Sequence, residues 1–234
     1  MATDREQEGR KGYAVGFEGL MEFLNDRLPR NEIIGTALRR DVPMYPDLAL
    51  RELVANALIH QDFGISGAGP MVKMFGNRVE TSNLGKPLGD IDRLLDQPPR
   101  SRNEALAAFM RRIGVCEERS SGVDKIVFES ELYQLPPLRW ETSGDSSRAV
   151  LFAHRKFRNM DRTERIRACY LHACLKFVMQ EETTNTSLRK RFGFDEKSSA
   201  KASRIIRDSL DEGVIKPVDP KQGKRNARYK PAWA

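Results

Sequence analysis

The strongest pattern of apolar and polar positions in the chain runs from Pro46 to Phe63. Leu50, Leu53, Val54, Ala57 and Leu58 recur at i, i+3, i+4, i+7 and i+8, which predicts one buried face of an amphipathic helix. Pro46 and Asp47 suit its first turn, where no intrahelical N–H bond is lost and negative charge meets the positive end of the dipole. Glu52, Asn56 and His60 are spaced by four and form a second stripe, roughly opposite the apolar one. Before this stretch, Phe17 to Leu28 reads as a helix, followed by a loop through Pro29 and a second apolar segment from Ile33 to Leu38. After it, Met71–Phe75 and Arg78–Ser82 read as short strands whose Gly76-Asn77 connection fits a tight hairpin. Asn103 is placed to cap a helix with Leu106, Phe109, Met110 and Ile113 at helical spacing, and Gly114 sits where a left-handed cap belongs. Val123, Ile126 and Val127 predict a further helix, and Leu138–Thr142 with Arg148–His154 a last hairpin turning through Ser143-Gly144-Asp145.

Beyond a basic connector, His154 to Arg162, the period becomes helical again. Ile166, Cys169, Tyr170, Ala173, Cys174, Phe177 and Val178 form one apolar face. Thr183 to Thr186 offer caps for a short helix holding Leu188 and ending near Gly193. Ser198 or Ser199 can cap a third helix, with Ala202, Ile205, Ile206, Ser209 and Leu210 facing inward. Gly213 ends it, Val214-Ile215 begins a strand, and Tyr229 to Trp233 can close a hairpin around the basic loop Pro220 to Arg228. Three helices followed by a basic hairpin predict a winged helix, a helix-turn-helix variant. The expected organisation is therefore two domains, residues 1–158 and 159–234.

Composition agrees with a globular chain. Its 234 residues suit one large or two small domains, and 31% charged with 39% hydrophobic residues is ordinary. No apolar run approaches the roughly 18 residues of a membrane span, and the polar N-terminus has no signal-peptide core. Cys116, Cys169 and Cys174 lack metal-ligand spacing and are odd in number, so a reducing cytoplasm is the expected compartment. Charge changes the picture more. Residues 1–160 hold 23 Lys+Arg and 23 Asp+Glu, whereas residues 161–234 hold 17 and 10, so the whole net charge of +7 lies in the last third. That asymmetry points to a polyanion-binding module joined to a neutral one. With duplex DNA as partner, Lys201, Arg204 and Arg207 lie off the apolar face of the third helix and could meet bases or phosphates. Arg189, Lys190 and Arg191 could brace the backbone, and Lys224, Arg225, Arg228 and Lys230 could reach an adjacent groove. A winged helix used for protein contacts, its charges merely solvated, remains the alternative.

The candidate chemistry lies in the first domain. A carboxylate and a carboxamide one turn apart can serve one ligand: Glu52 could polarise a water, and the Asn56 oxygen could ligate a hard cation such as magnesium. A solvated polar face gives the same pattern. Asn83 and Gly85 follow the second predicted strand, where glycine lets the backbone pass close to a flat ligand and Asn83 could accept from an adenine amino group; a plain turn would also use these residues. Ser120, Ser121 and Gly122 precede a helix, and free N–H groups there suit a phosphate, although Ser121 could be a simple cap. The chain has no G-x-x-x-x-G-K-[ST] phosphate loop, which excludes a motor of that chemistry.

Taken together, L-R-E-L-V-A-N-A-L-I-H-Q-D-F, V-E-T-S-N-L-G-K-P-L, P-P-R-S-R-N and E-E-R-S-S-G-V-D-K-I closely resemble a bacterial and archaeal family of ATP-binding proteins and transcriptional regulators, often labelled RecG-related helicases. The resemblance covers nearly the whole chain from Gly12. It implies an α+β fold: a GHKL (Bergerat-like) α/β sandwich followed by a winged helix-turn-helix domain. Family members carry an N-terminal Schlafen-type AlbA domain that is absent here, so further sequence is expected upstream of Met1. By this resemblance Glu52 corresponds to the glutamate that activates the attacking water, and Asn56 to the asparagine that coordinates phosphate-bridging magnesium. Asn83 and Gly85 fall at the adenine-binding D-x-G-x-G motif, and Ser120 to Gly122 near the lid that touches the phosphates. Two departures stand out: Asn83 replaces the base-reading aspartate, and Ser120 stands where close relatives have glycine, which stiffens the lid. The implied function is ATP- and DNA-binding regulation by a homodimer, with magnesium and with slow or absent ATP hydrolysis. A degenerate GHKL-like domain serving only for dimerisation is the rival, and an ATPase whose winged helix holds another protein a third possibility.

Overall fold

A computed structural model describes residues 7–34, 39–98, 100–116, 122–223 and 226–234. In chain order the elements are α1 (Tyr13–Asn25), β1 (Arg30–Ile34), β2 (Arg39–Pro43), α2 (Asp47–Ile59), β3 (Met71–Phe75), β4 (Arg78–Leu84), α3 (Glu104–Arg112), α4 (Val123–Leu132), β5 (Arg139–Ser143), β6 (Ser146–Phe152), α5 (Arg162–Val178), β7 (Thr183–Thr184), α6 (Asn185–Arg191), α7 (Ser199–Asp211), β8 (Ile215–Pro217) and β9 (Arg228–Pro231). The fold is mixed α+β, and every strand pairing is antiparallel. Among the described residues no helix is long and apolar enough to cross a membrane.

The first half is built on a four-stranded sheet, order β3-β4-β6-β5. Phe75 pairs with Arg78 across Gly76-Asn77, the two-residue hairpin expected from the sequence. Successive strand side chains alternate between faces, so Val79 and its partner Leu151 enter the core while Glu80 lies on the other face beside Arg78 and Arg148. Helix α2 packs over the core-facing side with α1, α3 and α4 around it. It is not the half-exposed amphipathic helix that periodicity suggested. Nine of its thirteen residues are buried, Glu52 among them, because neighbours close on it from several directions. Helix α3 departs in the opposite sense: Ala107 and Met110 are buried, whereas Phe109 and Ile113 are about half exposed.

The C-terminal part comprises α5, α6 and α7 with a small sheet, order β7-β9-β8. Asp161 and Glu164 form a capping box at the start of α5, and Thr184 and Ser187 another at α6. Helix α5 serves two cores. Cys169 and Ala173 pack with Leu188, Ala202, Ile205 and Ile206, whereas Tyr170, Leu171, Cys174 and Leu175 pack with Leu95, Val123 and Val127 of the first half. Burial explains the cysteines, whose thiols are pushed up to about 12.

The junction is also polar. Glu131 of α4 lies 2.8 Å from His172 Nδ1 and 3.5 Å from Arg191 Nε, and Arg191 donates to the Leu135 carbonyl at 2.8 Å. Arg167 donates to the Leu138 carbonyl, and Gln134 packs its amide on Gly193. Removing one partner of a buried ion pair strands the other. Glu131→Ala is expected to lower stability by about 3 kcal/mol, with only part of it recovered when Arg191→Met is added, because His172 Nδ1 stays unpaired and the Leu135 carbonyl loses its donor; urea unfolding of the single and double variants measures both.

Candidate functional site

Strand alternation sets the floor of the site. Moving up paired strands β4 and β6, the core-facing partners run Val79/Leu151, Thr81/Ala149, Asn83/Ser147. The apolar face thus becomes polar towards Gly85. Above its polar end lies a cavity of about 190 Å³, larger than the roughly 150 Å³ that accommodates a benzene ring. Glu52 and Asn56 of α2, with His60 just past its end, form one wall. The end of α3 with Cys116, the start of α4, Trp140 of β5 and the segment 85–101 supply the rest. The residues placed four apart on α2 therefore open onto one pocket. Glu52 is 4% exposed there.

Gly122 meets them at the start of α4. Its φ is +74°, and a Cβ there would lie 2.6 Å from Glu52 Oε2 and 3.4 Å from Asn56 Nδ2. Any side chain would collide with the carboxylate and strain the backbone. Only the lack of a side chain lets Gly122 sit this close to the acid–amide pair. Ser120 and Ser121 lie outside the described residues.

At the Asn83–Gly85 end the polar groups already have partners within the chain. Asn83 Nδ2 donates to the His60 and Leu84 carbonyls, both at 3.0 Å, tying the end of α2 to the strand. Contact with a base would fall to its Oδ1. Gly85 has φ +113°, and the flat group against its Cα is the guanidinium of Arg102, with Nε 2.9 Å from the position of a Cβ. Arg102 also pairs with Asp62 at 3.0 Å and donates to the Lys86 carbonyl at 2.6 Å. Asn103 forms no side-chain cap on α3; its Nδ2 instead donates to the Ile59 and Gln61 carbonyls at 2.7 Å. The H-Q-D and R-S-R-N motifs thus meet as one network around the end of α2. Both motifs were visible in the sequence, but only their distance in the fold reveals that they are partners.

Segment 86–101 is a cavity wall on one side and a docking strap on the other. Leu88, Leu94 and Gln97 line the pocket. Asp92 pairs with Arg167 at 3.2 Å, and its carbonyl accepts from the Tyr170 hydroxyl. Arg93 lies over the Trp233 ring, 4.5 Å from its centroid. Leu94 and Trp140 belong both to the cavity lining and to the core shared with α5.

Residues 67–151 match a family model described as "Putative ATP-dependent DNA helicase recG C-terminal". The segment is ATPase-like. It takes in the cavity floor, the strap, α3 and α4, and begins after α2 with Glu52 and Asn56. The DIP2311 protein from Corynebacterium diphtheriae, a solved structure, is similar over 92% of this chain, with a TM-score of 0.56 and 19% identity; this chain spans 45% of that one. The likeness is one of fold. No curated protein matches the chain.

The basic residues of the C-terminal part divide by environment. Lys201, Arg204 and Arg207 are exposed on α7, and Lys190 is exposed at the end of α6. Lys230 is half-buried, and exposed Arg228 pairs with Glu182 at 2.7 Å. Arg189 is held by Asn185, Thr186 and the Glu196 carbonyl. Arg191 was expected at a DNA backbone but is buried against the first half, because α6 ends in the junction. Lys224 and Arg225 lie outside the described residues.

Burial lowers the affinity of His60 for a proton, and the positive charge of Arg102 adds to the effect. The half-buried Cys116 thiol is pushed up by burial first and by the Glu52 carboxylate second. Two outcomes follow from this packing. Gly122→Ala should abolish ligand binding in the cavity, read by calorimetry. Cys116 should be alkylated slowly at neutral pH and faster in alkali, where the thiolate forms; Glu52→Gln removes a negative charge and should speed the reaction at fixed pH, followed by mass spectrometry.

Proposed function

We propose that the chain binds ATP with magnesium in this cavity, and that its C-terminal helices and small sheet act as a winged helix on double-stranded DNA. In this reading it is a cytoplasmic, homodimeric transcriptional regulator with slow or no ATP hydrolysis. The observation that carries the proposal is the convergence of Glu52, Asn56 and Gly122 on one pocket whose floor leads to Asn83 and Gly85. The residues suit magnesium of a particular kind. Among the described residues no three His, Cys, Asp or Glu are grouped to hold a metal, so the ion would be shared between Asn56 and phosphate oxygens, as hard cations often are. When bound, it would neutralise phosphate charge. Glu52, buried on a rigid helix, is placed to orient and polarise a water, while the Gly122 backbone lies against the same pair. The sequence lacks a phosphate loop, and the proposal includes no helicase motor.

The strap supplies a route from cavity to DNA. A ligand touching Leu88, Leu94 or Gln97 would bear on residues one to five positions from Asp92 and Arg93, which hold α5 and Trp233. Lys190, Lys201, Arg204 and Arg207, exposed on α6 and α7, form the proposed DNA-facing set. The second reading, a GHKL-like scaffold used only for dimerisation, draws support from the Arg102 guanidinium already lying on Gly85.

Calorimetry with a non-hydrolysable ATP analogue and magnesium separates the two: binding lost in Asn56→Ala supports the first, and no heat from the native protein supports the second. Fluorescence anisotropy should show duplex binding that falls steeply with salt. The combination Lys201→Ala and Arg204→Ala should weaken it at least ~10-fold, whereas salt-independent or absent binding refutes the DNA assignment. Asp92→Ala with Tyr170→Phe should leave DNA affinity intact but remove its response to nucleotide.

A further inference from the structure

Four cationic side chains belong to residues lining the cavity: Lys86, Arg100, Arg111 and Arg148. Two already have acidic partners. Lys86 lies 3.5 Å from Asp145. Arg148 points to the outer face of the sheet, paired with Glu141 and 3.5 Å from Glu80. Arg100 is exposed at the mouth. Arg111 is half-buried, and among the described residues nothing forms an ion pair or hydrogen bond with it. A half-buried guanidinium brings five N–H donors that favour an anion.

Its position is fixed from two sides. Arg111 follows Ala107 by one turn of α3, and Ala107 lines the same cavity, so both share one helix face. The turn after Arg111 is clamped by Arg51, which donates to the Gly114 carbonyl at 2.8 Å and the Val115 carbonyl at 3.2 Å. Arg51 precedes Glu52 on α2, so the helix carrying the acid–amide pair also anchors the base of Arg111. Arg111, Cys116 and Glu52 all line this cavity, and α2 reaches the turn between Arg111 and Cys116 through Arg51.

We propose that Arg111 grips the terminal phosphate of the bound nucleotide, so that the cavity distinguishes ligands by their number of phosphates. This rests on the nucleotide reading above, with the base towards Asn83 and the phosphates towards Glu52 and Asn56. A guanidinium can hold two phosphate oxygens at once and matches growing negative charge with directed donors. The adjacent Arg112 is exposed and does not line the cavity, which makes it a control on the same helix.

The test is calorimetric titration of the full chain with a non-hydrolysable ATP analogue, ADP and AMP, each with magnesium. The proteins are the native chain, Arg111→Gln, Arg111→Lys and Arg112→Gln, with thermal melting to confirm that all fold. The native chain should bind the triphosphate most tightly. Arg111→Gln should weaken the triphosphate roughly 10- to 100-fold, as for loss of a charge-assisted pair, and leave AMP unchanged. Arg111→Lys should fall between, and Arg112→Gln should match the native chain. An equal loss for all three ligands, or no loss, overturns the role of Arg111 while leaving the nucleotide reading intact. Failure of the native chain to bind any of them overturns both.

Discussion

A carboxylate in the middle of a packed helix constrains everything around it. Helix α2 is enclosed by α1, α3, α4 and the sheet, so Glu52 cannot turn its charge to bulk water as an exposed glutamate would. Burying such a group in an apolar setting would cost several kcal/mol. The fold resolves this by stopping the apolar packing short at that point. The sheet face becomes polar at Thr81, Asn83 and Ser147, a glycine precedes α4 as its N-cap, and a pocket remains between them. Glu52 is thus buried in the helix yet borders the cavity.

The same end of α2 shows how backbone groups are satisfied where a helix stops beside a cavity. The final carbonyls of a helix have no partner within it. Here Asn83 takes the His60 carbonyl and Asn103 takes those of Ile59 and Gln61, while Gln61 accepts from the Leu84 N–H at 3.0 Å. Two amide side chains from distant parts of the chain thereby act as C-terminal caps. Asn83 thus has a structural duty, and this accounts for an amide there: it donates to two carbonyls, as a carboxylate cannot.

Much of this was readable from one dimension. Periodicity and turn chemistry locate α2, the β3–β4 hairpin, α4 and the three C-terminal helices, since their apolar spacings and glycine caps act locally. Glu52 and Asn56 could be singled out because i and i+4 share a helix face. What the sequence concealed depends on packing from outside the element. Phe109 and Ile113 follow helical spacing yet remain about half exposed, because α3 turns the neighbouring face, Ala107 and Met110, to the core. Arg191 reads as one of a basic triplet, but the junction with Glu131 and Leu135 buries it. Arg111 carried no local signal; only the neighbours brought to it by folding make it notable.

The strap between Lys86 and Ser101 has one further implication, for how the chain can vary. Its register is pinned at both faces, by the pocket on one side and by Arg167, Tyr170 and Trp233 on the other. An inserted or deleted residue there would move these anchor points relative to one another, so its length is as constrained as that of a core strand although it contains none. Growth or loss of residues is far better absorbed at the Gly64–Gly69 turn, whose Gly67 and Gly69 meet no neighbouring atoms within 4 Å of an added Cβ.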